Sequence, residues 1–491
     1  MPIQSSRVQD DRTLVLWLAP AGKDADLDPF VQRRLTLEAC DSDAVVSRLP
    51  FARGIYLVHD PAHPGRTADN LGAFVTVALD HNVRVVVVAQ NEGDVAMIQK
   101  ILVRTNIERD ARFPPCVELV QETPGWLAPD AEKMARHVAG RAHSRTVDIE
   151  GAALEAEDRL LVERAFADCT SVRLESLPGG RSARVYRAHA TLGTGGIART
   201  PLPFFVKCDD RRSIRREADH YREFVDALIP FQFRPHLDPE RCFLGAIRGV
   251  LVGDFVEGAE PLWRCARREG AHHVLFSLFE RALRGWRLQA REQRGSLFQA
   301  LNHCLSGNLS EERMRVASGY GATSSVGALR ALIEAIPPLD YLESPTHGDL
   351  HVGNVMARDH YAILIDFNST GWGPAAADPA ALEASLICHP DACTSGQGNA
   401  WFDVARDLCQ REHFVSAPPV RAPSEWEWLW SSIRQIRLYA LSNTRSPGEY
   451  ARVLACYLIR HATRDGDNRD HDTVRGGAFA LAERVLSFAW P

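Results

Sequence analysis

No apolar run in this 491-residue sequence approaches the roughly 20 residues that a membrane-crossing helix needs, so a membrane location is not expected. Basic charge is not in excess: 57 Lys and Arg stand against 63 Asp and Glu, a formal net charge of −6, which argues against nucleic acid as the main partner. The eleven cysteines form no Cys-x-x-Cys pair and no even, secreted-type framework. Cys388 and Cys393 flank His389 at a spacing that matches no common zinc site, so buried, reduced thiols in a cytoplasmic protein are expected. The polar and charged stretch from Met1 to Arg12 lacks the apolar centre of a signal peptide. What is present is ordinary for a globular chain, 45% hydrophobic and 24% charged, and the length predicts two to three domains.

The first third alternates two kinds of pattern. Residues 13–18, 54–59, 83–89 and 116–120 read as strands, and the Val-rich 83–89 suits a strand covered on both faces. Residues 69–80 and 93–104 between them carry helical periodicity. Such alternation implies a parallel sheet with helices on both faces. The order, over about residues 10–140, resembles a response-regulator receiver domain, a flavodoxin-like α/β fold. Asp60 follows the second strand, where a phospho-accepting Asp would lie, and Thr123-Pro124 follows the last. The first strand, however, ends in Ala19-Pro20-Ala21 instead of an acidic pair, and Gln121-Glu122 stands where a Lys is expected. Phosphotransfer is therefore predicted to be lost from residues 1–142, with Asp60 a turn acid and the domain a docking surface for a protein partner. Residues 143–168 read as a linker helix, with Leu154, Leu160, Leu161, Val162 and Phe166 among acids.

The richest stretch is His347-Gly348-Asp349-Leu350-His351-Val352-Gly353-Asn354, followed by Ile363-Leu364-Ile365-Asp366-Phe367. A kinase-type site needs an Asp to accept the proton of the attacking hydroxyl. It also needs an Asn five residues on, and an Asp at the next strand end, to hold the metal that bridges the ATP phosphates. Asp349, Asn354 and Asp366 fit those roles in order and spacing. His347 suits bracing of the loop, and His351 either faces the phosphates or caps the turn.

Upstream, 174–188 reads as strand, glycine turn, strand. Gly179 and Gly180 would let backbone amides approach phosphate oxygens, with Ser182 adding a hydroxyl, although Pro-Gly-Gly is also an ordinary hairpin turn. The apolar strand 203–207 ends in Lys207, the position that pairs α- and β-phosphates. The helix 213–225 offers Glu217, with Glu223 as the alternative, to fix the Lys. Strands at 242–247 and 250–256 lead into a hinge, where backbone groups of Asp254, Phe255 and Val256 can meet an adenine edge. From Trp263 onward the pattern is helical, over 271–292, 297–306 and 325–335 among others. Trp426, Trp428 and Trp430 either line a pocket for a planar or cationic ligand or pack in the core.

His347–Asn354, Ile365-Asp366-Phe367 and Gly373-Pro374 to Asp378 resemble the aminoglycoside phosphotransferase and choline kinase-like superfamily. Within it the chain is most similar to the bacterial kinase-like ternary-complex-associated domain, on 214–221, 378–383, 433–437 and Glu449-Tyr450. The resemblance covers about residues 170–465. It implies an α+β, two-lobed protein-kinase-like fold, with an ATP-binding lobe over 169–262 and a helical catalytic lobe over 263–491. It further implies transfer of the ATP γ-phosphoryl group, with Mg²⁺, to a hydroxyl acceptor, in bacterial signalling or conflict. Asn368 stands where protein kinases carry Gly, as in many small-molecule relatives. Asp378 either steadies the catalytic loop or caps the helix after it. The other function class is a nucleotide-binding regulatory module with little turnover, which the fusion to a disarmed receiver-like domain favours and the complete Asp349, Asn354, Asp366 set disfavours.

Overall fold

The computed structural model describes residues 14–20, 23, 25–49, 52–80, 83–104, 117–136, 147–177, 183–192, 201–244, 248–390, 398–420, 425–464 and 471–490. The chain divides into two compact units, residues 1–216 with 236–255, and residues 217–235 with 256–491.

The first unit holds two sheets. Strands β1 (Leu14–Leu18), β2 (Thr36–Ala39), β3 (Gly54–Val58), β4 (Arg84–Ala89) and β5 (Val117–Gln121) form a parallel sheet in the order β2-β1-β3-β4-β5. This is the strand order of flavodoxin-like, doubly wound folds. Alternate residues serve opposite faces. Leu16, Ile55, Leu57, Val85 and Val87 bury against Leu71, Phe74, Ile98 and Leu102, from the helices Pro64–Asp80 and Glu92–Arg104. Val15, Trp17, Tyr56, Val58, Val86 and Val88 bury against Phe30, Leu127, Ala131 and Met134 on the other side. Arg84 is a charge buried beneath this sheet's helices. Its guanidinium meets Asp130 at 2.7 Å and Glu118 at 2.7 Å, and Tyr56 donates to the same Asp130. The edge strand β2 was not foreseen, because Thr36-Leu37-Glu38-Ala39 has no apolar run; it lies largely exposed.

The second sheet contains β6 (Asp148–Gly151), β7 (Cys169–Ser176), β8 (Arg184–Leu192), β9 (Leu202–Asp210), β10 (Phe243–Leu244) and β11 (Arg248–Asp254), in the order β10-β11-β9-β8-β7-β6. All neighbours are antiparallel except β6 and β7. The stretch 143–168, expected to be a linker helix, thus corrects to an edge strand followed by the helix Ala156–Ala165. Gly151 explains the change. It has φ +94° and lies so close to β7 that a Cβ would sit 2.2 Å from the Leu174 carbonyl oxygen, which halts the strand and turns the chain toward the helix.

The second unit is helix-rich around two small sheets. One joins β12 (Glu260–Pro261), β15 (Val355–Arg358) and β16 (Tyr361–Leu364); the other joins β13 (Arg291–Gly295), β14 (Leu339–Thr346) and β17 (Gly371–Pro374). The single helix expected over 271–292 corrects to His272–Ser277, a π-turn at Leu278–Ala282, and Arg284–Arg287, followed by β13. The expected helix over 297–306 is only two short turns, Leu297–Ala300 and Asn302–Cys304. The core is built from the helices Ala377–Ile387, Glu427–Ser442, Pro447–Thr463 and Asp472–Ser487. Trp430 belongs to it, with its indole N–H donating to the Pro419 carbonyl at 2.6 Å, whereas Trp426 and Trp428 are half-buried.

Candidate active site

Strand β14 ends at Thr346, and the chain then turns through the loop that the sequence singles out. Gly348 takes φ +73°, and a Cβ there would lie 2.2 Å from the Ser369 carbonyl oxygen, so only glycine fits. The buried Asp378, on the helix Ala377–Ile387, accepts from the amides of His347 at 2.8 Å and Gly348 at 3.2 Å. It therefore steadies the loop. Burial raises the Asp378 carboxyl above its usual range, against the pull of His347 and the two amides. From the same helix, Ser385 Oγ accepts from the Val352 amide at 3.1 Å. His347 is fully buried, and its Nε2 lies 2.9 Å from the Ile365 carbonyl; because a carbonyl only accepts, this nitrogen carries the hydrogen. The loop is thus tied to the strand end that delivers Asp366.

These contacts leave the Asp349 side chain out of the scaffolding. Its backbone carbonyl accepts from the Asn354 side-chain amide at 3.0 Å and the His351 amide at 2.9 Å. Its carboxylate, a quarter exposed, meets the Arg460 guanidinium at 2.9 Å and lies 4.0 Å from His351 Nε2. Burial alone would raise the Asp349 carboxyl, but Arg460, then His351 and Arg464, hold it below the usual carboxylate range. It is therefore ionised at neutral pH. Burial, opposed by Asp349, pushes the His351 imidazole down, and His351 Nδ1 accepts from the Gly353 amide at 3.0 Å, which caps the turn.

Asn354 is buried and its side-chain nitrogen donates to the Asp349 backbone carbonyl, while the Asn354 backbone carbonyl accepts from the Ile365 amide at 3.1 Å. Asp366 is exposed and stands at φ +64°, a left-handed conformation that a non-glycine residue rarely adopts. Such outliers persist where the surroundings over-determine them, often at functional sites. Phe367 beneath it is buried against His347 and Tyr221, with ring centroids 5.4 and 5.9 Å apart. Among the described residues no three His, Cys, Asp or Glu side chains gather as a metal centre. Two hard oxygen donors, an Asn amide and an Asp carboxylate, nevertheless suit Mg²⁺, which takes few protein ligands and completes its shell with phosphates and water.

The remaining predicted residues are placed as follows. Lys207 lies in β9, opposite Val185 and Leu251, and is buried. In the helix Arg211–His220, Glu217 is buried, whereas Glu223 lies in the following π-turn and is exposed. A buried charge requires a compensating partner, so burial favours Glu217 over Glu223 as the functional acid. Asp254 ends β11, and its amide donates to the His236 carbonyl at 2.9 Å, which removes that amide from any adenine edge. Phe255 and Val256 follow as half-buried coil, with Arg187 stacked 4.8 Å over the Phe255 ring. Gly179, Gly180 and Ser182 lie outside the described residues, as does Cys393. Cys388 is buried, and His389 stacks on Trp263 at 4.4 Å, an apolar packing role.

Two features escaped the sequence reading. One is Arg460, 111 positions after Asp349, whose partnership requires the fold. The other is a fully buried network in which Arg437 binds Glu383, donates to the Leu408 carbonyl at 2.6 Å and stacks 4.2 Å over Phe414, while Tyr450 donates to Glu383 at 2.7 Å. Glu383 lies on the helix that carries Asp378 and Ser385, so the network anchors the cradle of the 347–354 loop.

Residues 173–408, a little under half of the chain, match the model of the phosphotransferase enzyme family. The match runs from β7 through Lys207 and the 347–354 loop to the helix Gly398–Leu408, and supports phosphotransfer as the chemistry. The chain is similar to a choline/ethanolamine kinase family protein from Mesorhizobium loti, with 15% identity over 64% of this chain and 88% of that one and a TM-score of 0.33. An aminoglycoside phosphotransferase from Streptomyces rimosus is 16% identical over 58% of this chain and 99% of its own, with a TM-score of 0.31. An amicoumacin kinase, solved with AMP-PNP and Ca²⁺, is 12% identical over 64% and 90%, with a TM-score of 0.37. No curated protein gives a significant match. No helix among the described residues is long and apolar enough to cross a membrane.

Proposed function

We propose that the chain is an ATP- and Mg²⁺-dependent phosphotransferase that moves the γ-phosphoryl group to a hydroxyl acceptor. The observation that carries this reading is the Asp349 carboxylate, ionised and turned to a cleft, on a loop whose scaffolding bonds are made by other groups. Asp349 orients the acceptor hydroxyl and takes its proton as the new O–P bond forms and the bond to ADP breaks. In a loose transition state that proton moves late, so a carboxylate of low basicity suffices. Asn354 and Asp366 would hold the Mg²⁺, which supplies charge neutralisation on the phosphates. Lys207 and Glu217 are the phosphate-binding pair, Gly179, Gly180 and Ser182 the loop over the phosphates, and Phe255 and Val256 the adenine edge. Residues 1–142, receiver-like but without phosphotransfer, would serve a protein partner. The kinase-like ternary-complex-associated family, and a cytoplasmic role in bacterial signalling or conflict, are the context in which these parts fit together.

One observation favours the non-catalytic reading: Arg460 already neutralises Asp349. Transfer from γ-labelled ATP into small-molecule and protein extracts decides between them. Wild type is expected to label an acceptor, and Asp349→Asn to lose about a thousandfold of that rate while binding Mg·ATP normally. Nucleotide binding without any transfer favours the regulatory module, and unchanged transfer in Asp349→Asn removes Asp349 as the base. Label arriving from α-labelled ATP would instead show AMP transfer.

A further inference from the structure

The two carboxylate oxygens of Asp349 stand in different surroundings. Oδ1 lies 2.9 Å from Arg460 Nη2, a charge-assisted contact. Oδ2 lies 4.0 Å from His351 Nε2, too far for a hydrogen bond. The other arm of the same guanidinium, Arg460 Nη1, reaches the Gly348 carbonyl at 3.5 Å. One planar fork thus spans the backbone of Gly348 and the side chain of the next residue, which fixes the plane of the carboxylate. The gap behind the pair, walled by Ala381, Tyr457 and His461, admits nothing larger than a water molecule. An acceptor must therefore come to Asp349 from the exposed side, where Oδ2 remains available.

Arg460 itself is held from behind. It lies in the last turn of the helix Pro447–Thr463, one turn after the buried Tyr457, whose ring centroid is 6.0 Å from the guanidinium carbon. A helix end leaves carbonyls without partners. The buried Arg313 supplies them: it donates to the carbonyls of Ala462 at 3.2 Å and Arg464 at 2.9 Å, and is paired with Asp472 at 2.9 Å. Gly307 packs so closely on the same turn that a Cβ there would sit 2.6 Å from the Thr463 Cβ. The backbone that presents Arg460 is thus fixed from two sides.

Resting on the phosphotransferase reading, we propose that Arg460 is the positioning residue for Asp349: it grips Oδ1 so that Oδ2 faces the acceptor hydroxyl. The hydroxyl proton then goes to Oδ2 as the new O–P bond forms and the bond to ADP breaks. A short carboxylate side chain on a loop rotates freely unless one oxygen is tied, and misplacement by about 1 Å costs about a hundredfold in rate. The neighbouring positive charge makes the carboxylate a weaker base, which a late proton transfer tolerates. A latch that blocked the site would have to cover the carboxylate, whereas this contact leaves a quarter of the Asp349 side chain exposed.

The test uses the full chain with γ-labelled ATP and Mg²⁺, with water and a total small-molecule extract as acceptors, and reads released or transferred label. Arg460→Met is expected to lower the rate about a hundredfold while the KM for ATP stays within about twofold. Arg460→Lys keeps the charge but not the planar fork, so it should recover part of the loss, and added guanidinium ion should partly restore Arg460→Ala. In an Asp349→Asn background, Arg460→Met should cost nothing further, because it acts through that carboxylate. A purely structural residue would add its loss to that of Asp349→Asn, and guanidinium would restore nothing; either result overturns the proposal. A faster Arg460→Met also overturns it and shows that the pair is an inhibitory latch. Calorimetric binding of Mg·AMP-PNP establishes that each variant is folded, and should Arg460→Met fail there, Arg460→Lys and the guanidinium arm decide. No transfer by wild type refutes the phosphotransferase reading, whereas wild-type transfer at the same rate as Arg460→Met refutes the positioning role alone.

Discussion

Asp60 and Asp349 both stand just beyond strands, in loops that sequence alone marks as candidate sites, and the structure treats them in opposite ways. Asp60 follows β3 and uses its carboxylate on its own turn: Oδ1 accepts from the Ala62 amide at 3.0 Å, and Oδ2 meets His63 Nδ1 at 3.1 Å. The His63 contact, then the turn amides, hold it below the usual carboxylate range. Lys23 pairs with Glu122, so the cation follows β1 and the acid follows β5, the reverse of what a receiver site needs. Asp349 makes none of its loop's supporting bonds through its carboxylate; Asp378, Ser385 and His347 do that work. A carboxylate becomes available for chemistry when other groups hold its backbone. Asp60 is a turn former by the same measure.

On that contrast, the 347–354 loop should be most vulnerable through residues that never touch it. Arg437→Met removes the cation from a fully buried pair and leaves Glu383 charged and unpaired on the helix that carries Asp378 and Ser385. A loss of about 4 kcal/mol in urea denaturation is expected, with transfer activity falling alongside it. A joint Arg437→Met, Glu383→Leu variant should recover much of that stability, since no unpaired charge then remains. A small effect of Arg437→Met alone would mean that the cradle does not depend on this network.

Glycines in the two regions allow a narrower comparison. Gly348 and Gly125 share a left-handed backbone, φ +73° and +79°. A Cβ on Gly125, in the turn after β5, would meet nothing within 4 Å, whereas one on Gly348 would meet backbone at 2.2 Å. Gly125→Ala should therefore cost only the conformational strain, about 1 kcal/mol, and leave transfer intact. Gly348→Ala should cost about 3 kcal/mol and most of the transfer rate, because the loop must move off Ser369. Equal losses at the two positions would show that Gly348 is an ordinary turn residue.

What was legible in the sequence follows from range. β4 was visible because five consecutive Val and Ala positions are buried on both faces, and Asp349, Asn354 and Asp366 were visible because their spacing is local. β2 and β6 were not: both are short and largely exposed, so burial leaves no periodic mark on them. β13 was absorbed into a long helical pattern because Arg291–Gly295 is polar and becomes a strand only by pairing with β14. The left-handed Asp366 and the Arg460 contact had no local signal at all. Glu383, Arg437 and Tyr450 each lie in stretches that carry the family resemblance, yet only packing reveals that they form one network.

The two units also differ in how they bury acids, and this yields an effect smaller than those of Arg437→Met and Gly348→Ala and more specific than either. Asp130 in the first unit has both oxygens bonded, to Arg84 and Tyr56. Glu449 in the second is 1% exposed; its Oε2 accepts from the Arg445 amide at 2.7 Å, and Oε1 has no hydrogen-bond partner among the described residues. Burial, only partly opposed by the Arg445 and Ser446 amides, raises the Glu449 carboxyl to about 7. A carboxyl whose folded-state value lies above its unfolded one stabilises the fold fully below the unfolded value. That contribution is lost as pH rises through the folded value. The window here therefore runs from the ordinary Glu value of 4.5 up to about 7. Glu449→Gln keeps an oxygen for the Arg445 amide and cannot ionise. Relative to this variant, wild type should lose about 2 kcal/mol of stability between pH 5 and pH 8, read from paired urea denaturations. A constant difference across that range would show that Glu449 is already ionised in the folded protein, and that its free oxygen is solvated instead of protonated.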